Sequence, residues 1–301
     1  MVIIKEDTLT TMDISLALGG GGSKGAALVG VLRRLEQEGF NVRAVAGTSI
    51  GGIVAVFYAL GYTPDEIEEA FAGFDQTTLY GRLPQDEPSF MGLAGGVKWL
   101  EGQIGTRTFD DVKIPCAVTA VDLRSGREII LAEGPLMDSL LATIAIPGIF
   151  PAQRFGDWEL VDGGTLDPVP VAPARSLAPK LPVVAVSLTM PMGEPAQSWT
   201  IPGFNRFPQS ISQRLSRLRY AQAVDVIMRS LDIMMRAVTE YRLAMDKPDA
   251  IVRPQVADIE TLSKVDVREV AKRGEKAVEE ALPEIKKLFT WQSRVARAFK
   301  F

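Results

Sequence analysis

Val42-Arg43-Ala44-Val45-Ala46-Gly47-Thr48-Ser49-Ile50-Gly51-Gly52-Ile53-Val54-Ala55-Val56-Phe57-Tyr58-Ala59-Leu60 is the stretch on which the fold turns. Residues 42–46 form an apolar run of strand length, 47–51 a sharp turn, and 53–60 a helix that Gly61 closes. Upstream, residues 13–18 read as a strand running into Gly19-Gly20-Gly21-Gly22-Ser23-Lys24-Gly25. Leu28, Val31, Leu32 and Leu35 then recur at helical spacing until Gly39. Two strand–turn–helix units in succession predict an α/β fold with a central, mostly parallel sheet covered by helices.

Downstream, Thr63-Pro64-Asp65-Glu66 combines an N-cap, a proline at the first helical position and a glutamate three residues on, which starts a third helix. Residues 74–105 are rich in Gly, Pro and polar side chains and read as a surface excursion or lid. Residues 114–121 and 127–131 form a hairpin, 136–146 a helix ending before Pro147, and 159–161 and 183–188 further strands. Residues 190–219 read as a second irregular insertion. Val224, Ile227, Leu231, Met234, Val238 and Met245 mark one face of a long helix, read as core packing. Helices over 267–282 and from Pro283 onward complete residues 1–301, which contain no linker that would divide them into two domains.

The composition, with 47% hydrophobic and 23% charged residues, is that of an ordinary globular protein. A formal net charge of −4 leaves no electrostatic footprint for nucleic acid. The single cysteine, Cys116, excludes an intrachain disulfide and a cysteine-based zinc site, and the chain has no histidine, the commonest catalytic metal ligand. No metal or organic cofactor is expected. Residues 1–7 lack a basic n-region and a long apolar stretch, so the expected location is cytoplasmic.

Gly47-Thr48-Ser49-Ile50-Gly51 is the nucleophile-elbow pattern, in which small flanking residues let a strained strand-to-helix turn lift the serine hydroxyl into the open. Five-residue patterns are weak alone, and two glycines can merely make a turn; here a strand precedes and a helix follows. A serine needs a base to accept its proton, and the usual base is histidine. With none present, the base is a carboxylate or a lysine near Ser49. Asp162, in Leu160-Val161-Asp162-Gly163-Gly164, is the acidic residue set in a glycine turn after an apolar strand. An ordinary Asp-Gly turn capping local amides is the competing reading, and Lys24 is the rival base. Gly20, Gly21 and Gly22 can present amides to a developing oxyanion, and the amide of Ile50 is the natural second donor. Gly20-x-Gly22-x-x-Gly25 also fits a dinucleotide-binding turn, but the second strand ends in Ala44-Val45-Ala46-Gly47 rather than in a ribose-binding acid.

Taken in order, Gly20-Gly21-Gly22-Ser23-Lys24-Gly25, Gly47-Thr48-Ser49-Ile50-Gly51 and Asp162-Gly163-Gly164 resemble the motifs of the patatin-like phospholipase family. Residues 145–151 resemble the family's proline-bearing segment, and 251–288 look like the end of bacterial members related to neuropathy target esterase. The resemblance implies a three-layer α/β/α fold and a serine acyl hydrolase cleaving carboxylic esters of phospholipids, lysophospholipids or related lipids. It further implies a Ser49–Asp162 dyad, an oxyanion hole at Gly20 to Gly22, and Lys24 in the place of a conserved basic residue, with Gly25, Gly47, Gly51, Gly163 and Gly164 shaping the turns. Asp167 departs from the pattern, where an asparagine is expected. A nucleotide- or phosphate-binding protein and a catalytically idle regulatory member are the alternatives.

An acyl-lipid substrate would be met at a bilayer surface. Leu288, Trp291, Val295 and Phe299 line one side of residues 286–301, with Lys286, Lys287, Arg294, Arg297 and Lys300 elsewhere, as in an interfacial helix. A terminal helix packed on the body is the competing reading. Arg206, Arg214, Arg217 and Arg219 form a second basic run.

Overall fold

The computed structural model describes residues 11–81, 83, 87–193 and 219–293, and only the backbone of 219–225 and 228. The strands are β1 (Met12–Leu18), β2 (Phe40–Thr48), β3 (Cys116–Asp122), β4 (Arg127–Leu131), β5 (Gln153–Phe155), β6 (Trp158–Asp162), β7 (Val183–Val186) and β8 (Ala250–Val252). They form one mixed sheet in the order β5-β6-β3-β2-β1-β7-β8, with β4 also paired to β3. The β3–β2–β1–β7–β8 portion is parallel, while β4, β5 and β6 run antiparallel to their neighbours.

Side-chain alternation along the strands divides the core. On one face Leu16, Leu18, Val45, Val118, Val184 and Val186 join a large aliphatic core. It is covered by α1 (Ala26–Gln37), α2 (Ile50–Ala59), α3 (Pro64–Ala72), α4 (Ala94–Ile104), α5 (Leu136–Thr143) and a C-terminal helix. On the other face Ala17, Ala46, Ala117, Val183 and Ala185 meet Val171 and Ala174 of α6 (Val171–Leu177) and Leu243 of a long helix, α7 (Arg219–Asp246). Small side chains on that face let α6 approach closely, and the result is the expected three-layer α/β/α arrangement.

Thr63 caps α3 with the full capping box: its hydroxyl accepts from the Glu66 amide, and the Glu66 carboxylate accepts from the Thr63 amide. Such a cap contributes about 1 kcal/mol.

Several elements differ from the sequence expectations. Residues 74–105 are not only a surface excursion, because α4 lies within them and buries Leu100 and Ile104. A Cβ on Gly95 would meet the Thr78 carbonyl, so the glycine that weakens this helix by propensity is what lets it dock. Helix α5 stops at Thr143, three residues before the expected end. The C-terminal helix α8 (Val267–Lys287) runs unbroken through Pro283. Pro283 is exposed, while Ile285 is fully buried and Phe289 packs on Phe40 with ring centroids 5.8 Å apart, so packing on both sides holds the turn.

Of the stripe on α7, Leu231 packs against the small core of Leu93, Ile149 and Phe150, the side chain of Val224 lies outside the described residues, and the rest is not core packing. Ile227, Met234 and Met245 are exposed, and Leu231 and Val238 half-buried. The buried side of α7 carries Asp232, Arg236, Thr239 and Leu243, with Arg236 and Asp232 paired at 2.6 Å. Of the candidate membrane segment, Leu288 and Phe289 pack inward, Lys286 bonds Glu38 at 2.8 Å and Trp291 is exposed. Residues 294–301 lie outside the described residues, as do Arg206, Arg214 and Arg217 within 194–218. Among the described residues no helix is long and apolar enough to cross a membrane.

Helices α1 and α8 touch main chain to main chain. A Cβ on Gly30 would collide with the Ala271 carbonyl, and one on Gly274 with the Ala27 carbonyl. Gly274→Leu should therefore force the helices apart and lower unfolding stability by about 3 kcal/mol, read by chemical denaturation. An unchanged midpoint would contradict the close crossing.

Candidate active site

The site is assembled by strand β3. Its residues Cys116 to Thr119 pair with β2, ending at Thr48↔Thr119. Its residues Ala120 to Asp122 pair with β6, beginning at Ala120↔Asp162. Because β4 occupies the other edge along Val118 to Asp122, β2 and β6 share one edge of β3 and meet end to end. Adjacent residues of one strand thus hold the residue before Ser49 and Asp162 itself. That register, rather than any nearness in sequence, brings the two side chains together.

Ser49 occupies the turn between β2 and α2 with φ 56° and ψ −126°. A positive φ at a non-glycine costs on the order of 1–3 kcal/mol, so the surroundings must impose it. A Cβ on Gly47 would strike the Gly51 carbonyl, and one on Gly51 the Leu18 carbonyl, so neither position tolerates a side chain. The Ser49 amide donates to the Thr143 hydroxyl at 2.9 Å, and that hydroxyl donates to the Thr119 carbonyl at 2.7 Å. The Thr48 hydroxyl is bonded to Thr119 Oγ1 at 2.7 Å and donates to the Asp167 carbonyl at 2.8 Å. Three threonines beneath the turn fix the elbow from its buried side.

The Asp162 carboxyl lies beside the Ser49 side chain, close enough for the hydroxyl to draw its pKa down, and it accepts the Gly164 amide at 2.7 Å. The turn-cap reading thus holds, and it leaves the carboxyl facing Ser49. Asp162 is 6% exposed. Burial raises its pKa from 3.8 to about 6, against the opposing pull of the Ser49 hydroxyl and the Gly164 amide. The group remains ionised at neutral pH yet is a much stronger base than a solvated carboxylate.

The glycine loop lies against this pair, and a Cβ on Gly20 would lie 3.2 Å from the Ser49 Cβ. The amide of Gly20, however, donates to the Pro168 carbonyl at 3.0 Å. That bond removes Gly20 from the expected oxyanion donors and makes it a tether. Among the described residues the Gly21 and Gly22 amides have no backbone acceptor, and Ile50 opens α2, where an amide has no partner within its helix. Gly22 has φ 58°. Lys24 is buried, and burial lowers its pKa while Asp232 and Asp258 pull it up and Arg236 pushes it down. On Asp162 the acting groups are Ser49 and Gly164.

Ser49 opens into a cavity of about 840 Å³. Its lining includes Ile53, Phe71, Phe74, Trp99, Leu100 and Ile144, together with the charged Asp258, Glu260 and Lys264. Phe71, Phe74 and Trp99 pack ring on ring, with centroids 5.7 and 5.1 Å from Trp99. A wall of interlocked aromatic rings gives the cavity a fixed apolar lining.

The sequence model of the patatin-like phospholipase family matches residues 16–175, running from β1 through the elbow and the Asp162 turn into α6. The chain belongs to this family. An uncharacterized NTE family protein of Mycobacterium tuberculosis is 33% identical over 187 residues, covering 61% of this chain and 51% of that protein. The chain thus spans about half the length of that relative. The uncharacterized protein YqhO of Bacillus subtilis is 32% identical over 209 residues, covering 59% of this chain and 72% of the other. A patatin-like phospholipase domain-containing protein of Caenorhabditis elegans is 31% identical over 178 residues, 13% of its length. Among solved structures, VipD from Legionella pneumophila superposes with a TM-score of 0.54 over 92% of this chain and 67% of its own, at 13% identity, a likeness of fold.

Within this patatin-like frame, sequence reasoning located Ser49, Asp162 and the glycine loop but missed Thr48, Thr119 and Thr143. A threonine in or beside a strand reads as ordinary β-propensity, so spacing gave no signal for them. It noted Asp167 only as a departure, whereas that residue is fully buried and bonded to Arg242 of α7 at 2.8 Å.

The raised pKa of Asp162 has a stability consequence. A carboxyl whose folded-state pKa lies above its unfolded value stabilises the fold while protonated, and that contribution is lost as pH rises through about 6. The change from 3.8 to about 6 corresponds to about 3 kcal/mol. Asp162→Asn, which keeps an oxygen for Gly164, should therefore be more stable than wild type at pH 7–8, by about 1–3 kcal/mol, with the gap closing below pH 4. Urea denaturation across that range tests it; a variant less stable at pH 8 would contradict the buried charge.

Proposed function

We propose that this protein is a serine acyl hydrolase that cleaves carboxylic ester bonds of phospholipids, lysophospholipids or related acyl lipids through a Ser49–Asp162 dyad. The observation that carries this reading is that the sheet register sets Ser49 beside the buried Asp162 carboxyl, with Ser49 lining a large, mostly apolar cavity. Membership of the patatin-like family supports it.

In the reaction, Ser49 Oγ attacks the ester carbonyl as its proton passes to Asp162. The carbonyl oxygen becomes an oxyanion, which the amides of Gly21, Gly22 and Ile50 receive. Collapse breaks the bond to the leaving alcohol, which takes the proton back from Asp162, and the acyl group stays on Ser49. Water, deprotonated by Asp162, then attacks this ester; the fatty acid leaves and Ser49 regains a proton. Asp162 is suited to both directions because its pKa lies near neutrality, where it can take and return a proton. The aromatic and aliphatic cavity lining accepts the acyl chain, and its charged residues meet the head group.

Two measurements test this. Fluorophosphonate labelling and hydrolysis of a short-chain nitrophenyl ester should be lost in Ser49→Ala and fall by about 100-fold or more in Asp162→Asn. With no imidazole in the chain, kcat/KM should decline as pH falls through about 6, because the base works only when ionised. Folded wild-type protein that neither labels nor turns over would sink the assignment and favour a regulatory or nucleotide-binding role. Separately, Ile53→Trp narrows the cavity beside Ser49 and should reduce kcat/KM for long-chain esters about 10-fold more than for short-chain ones. Equal effects on both would place the acyl chain elsewhere.

A further inference from the structure

The turn that follows Asp162 contacts every working piece of the site through its main chain. The Asp167 amide donates to the Gly163 carbonyl at 2.8 Å, closing the turn on which Asp162 sits. The Asp167 carbonyl accepts the hydroxyl of Thr48, the residue before Ser49, at 2.8 Å. The next carbonyl, that of Pro168, accepts the Gly20 amide at 3.0 Å. Base, nucleophile and glycine loop are thus all referenced to residues 163–168.

What fixes Asp167 from outside comes from much later in the chain. Its carboxylate is fully buried and accepts from Arg242 through Nη2 at 2.8 Å and Nε at 3.3 Å. The same guanidinium reaches Glu128 on β4 at 3.3 Å and Asp246, one turn further along α7, at 3.2 Å. One planar cation therefore joins the catalytic turn, the hairpin strand and the long helix. Lysine could not reproduce this, because it lacks the rigid fork that grips a carboxylate with two donors. Burial and the nearby Glu128 carboxylate push the Asp167 pKa up, and Arg242 draws it back. Where the family pattern has an asparagine, this chain has a buried carboxyl group, and the long helix brings a guanidinium to it.

We propose that Arg242 is a positioning residue for catalysis, holding Asp167 so that Thr48, Asp162 and the Gly20 loop keep their working geometry. The proposal rests on the Ser49–Asp162 hydrolase reading. It also makes α7, which lies beyond the segment matched by the family model, part of the functional unit.

The full chain is compared as wild type, Ser49→Ala, Arg242→Met, Arg242→Lys and the double variant Asp167→Asn/Arg242→Met. The readouts are the fluorophosphonate labelling rate, kcat and KM for a short-chain ester, and the melting temperature. Arg242→Met should lose about 10- to 100-fold in labelling rate and kcat, with KM within about 2-fold. The double variant should recover most of that loss, since asparagine needs no guanidinium. Arg242→Lys should remain folded and lose about 3- to 10-fold in kcat, which decides the matter should Arg242→Met fail to fold. Wild-type kcat in Arg242→Lys, a lower melting temperature in Arg242→Met without loss of labelling rate, or a double variant no faster than Arg242→Met would each overturn the proposal. Failure of the underlying reading looks different: wild type would then not label, or Ser49→Ala would label as well as wild type.

Discussion

Between Thr119 and Ala120 one edge of β3 passes from β2 to β6, and the chemistry of the protein is set out from that change of partner. A strand edge offers hydrogen-bonding groups to one neighbour at a time, so β2 must end where β6 begins. The last residue of β2 before the elbow and the last residue of β6 then lie on neighbouring positions of the same strand. The sheet thereby fixes the distance between Ser49 and Asp162 with main-chain hydrogen bonds, which are stiffer than any loop. The left-handed Ser49 and the threonines under it complete the arrangement from below.

Under the proposed Ser49–Asp162 reading, the lack of histidine gives this placement its importance. An imidazole already titrates near neutrality and needs only orientation, whereas a solvated carboxylate is too weak a base to take a serine proton. Burial closes part of that gap by raising the Asp162 pKa to about 6, and the same burial makes the charge costly to the fold. The Gly164 amide and the neighbouring Ser49 hydroxyl limit the cost without cancelling it. Asp167 repeats the pattern of a buried carboxyl group nearby, with Arg242 donating to it. The site thus places two carboxylates in a poorly solvated region and relies on the surrounding layers to keep both in place.

The sequence made local geometry legible and left long-range geometry obscure. Gly47 and Gly51 around Ser49, and Gly163 and Gly164 after Asp162, require close approaches that leave a mark in residue identity. The capping box at Thr63 and Glu66 is equally local. Strand order is not local, so neither the junction of β2 with β6 nor the reach of Arg242 to Asp167 could be read from spacing. Gly20 was expected as an oxyanion donor because glycines look alike in sequence; only the bond to Pro168 distinguishes it from Gly21 and Gly22. Helix α4 was hidden by Gly95, Gly96 and Gly102, which lower helix propensity and, at Gly95, make room for the Thr78 carbonyl. The apolar stripe of α7 correctly signalled a helix and wrongly signalled its buried side, because the contacts that matter there are ionic.

In the proposed hydrolase, the cavity and the base would be coupled through water. An acyl chain entering between Ile53, Phe71 and Trp99 displaces solvent from the space beside Ser49. Drying the site destabilises the Asp162 anion further, which raises its affinity for a proton at the moment when Ser49 must lose one. The Gly21, Gly22 and Ile50 amides gain in the same step, because hydrogen bonds to an oxyanion strengthen as the local dielectric falls. A head group alone would leave the cavity wet and supply neither effect. Apolar walls and a carboxylate base thus form one device in this reading, and selectivity for long-chain acyl esters follows from the same dryness that makes aspartate a workable base.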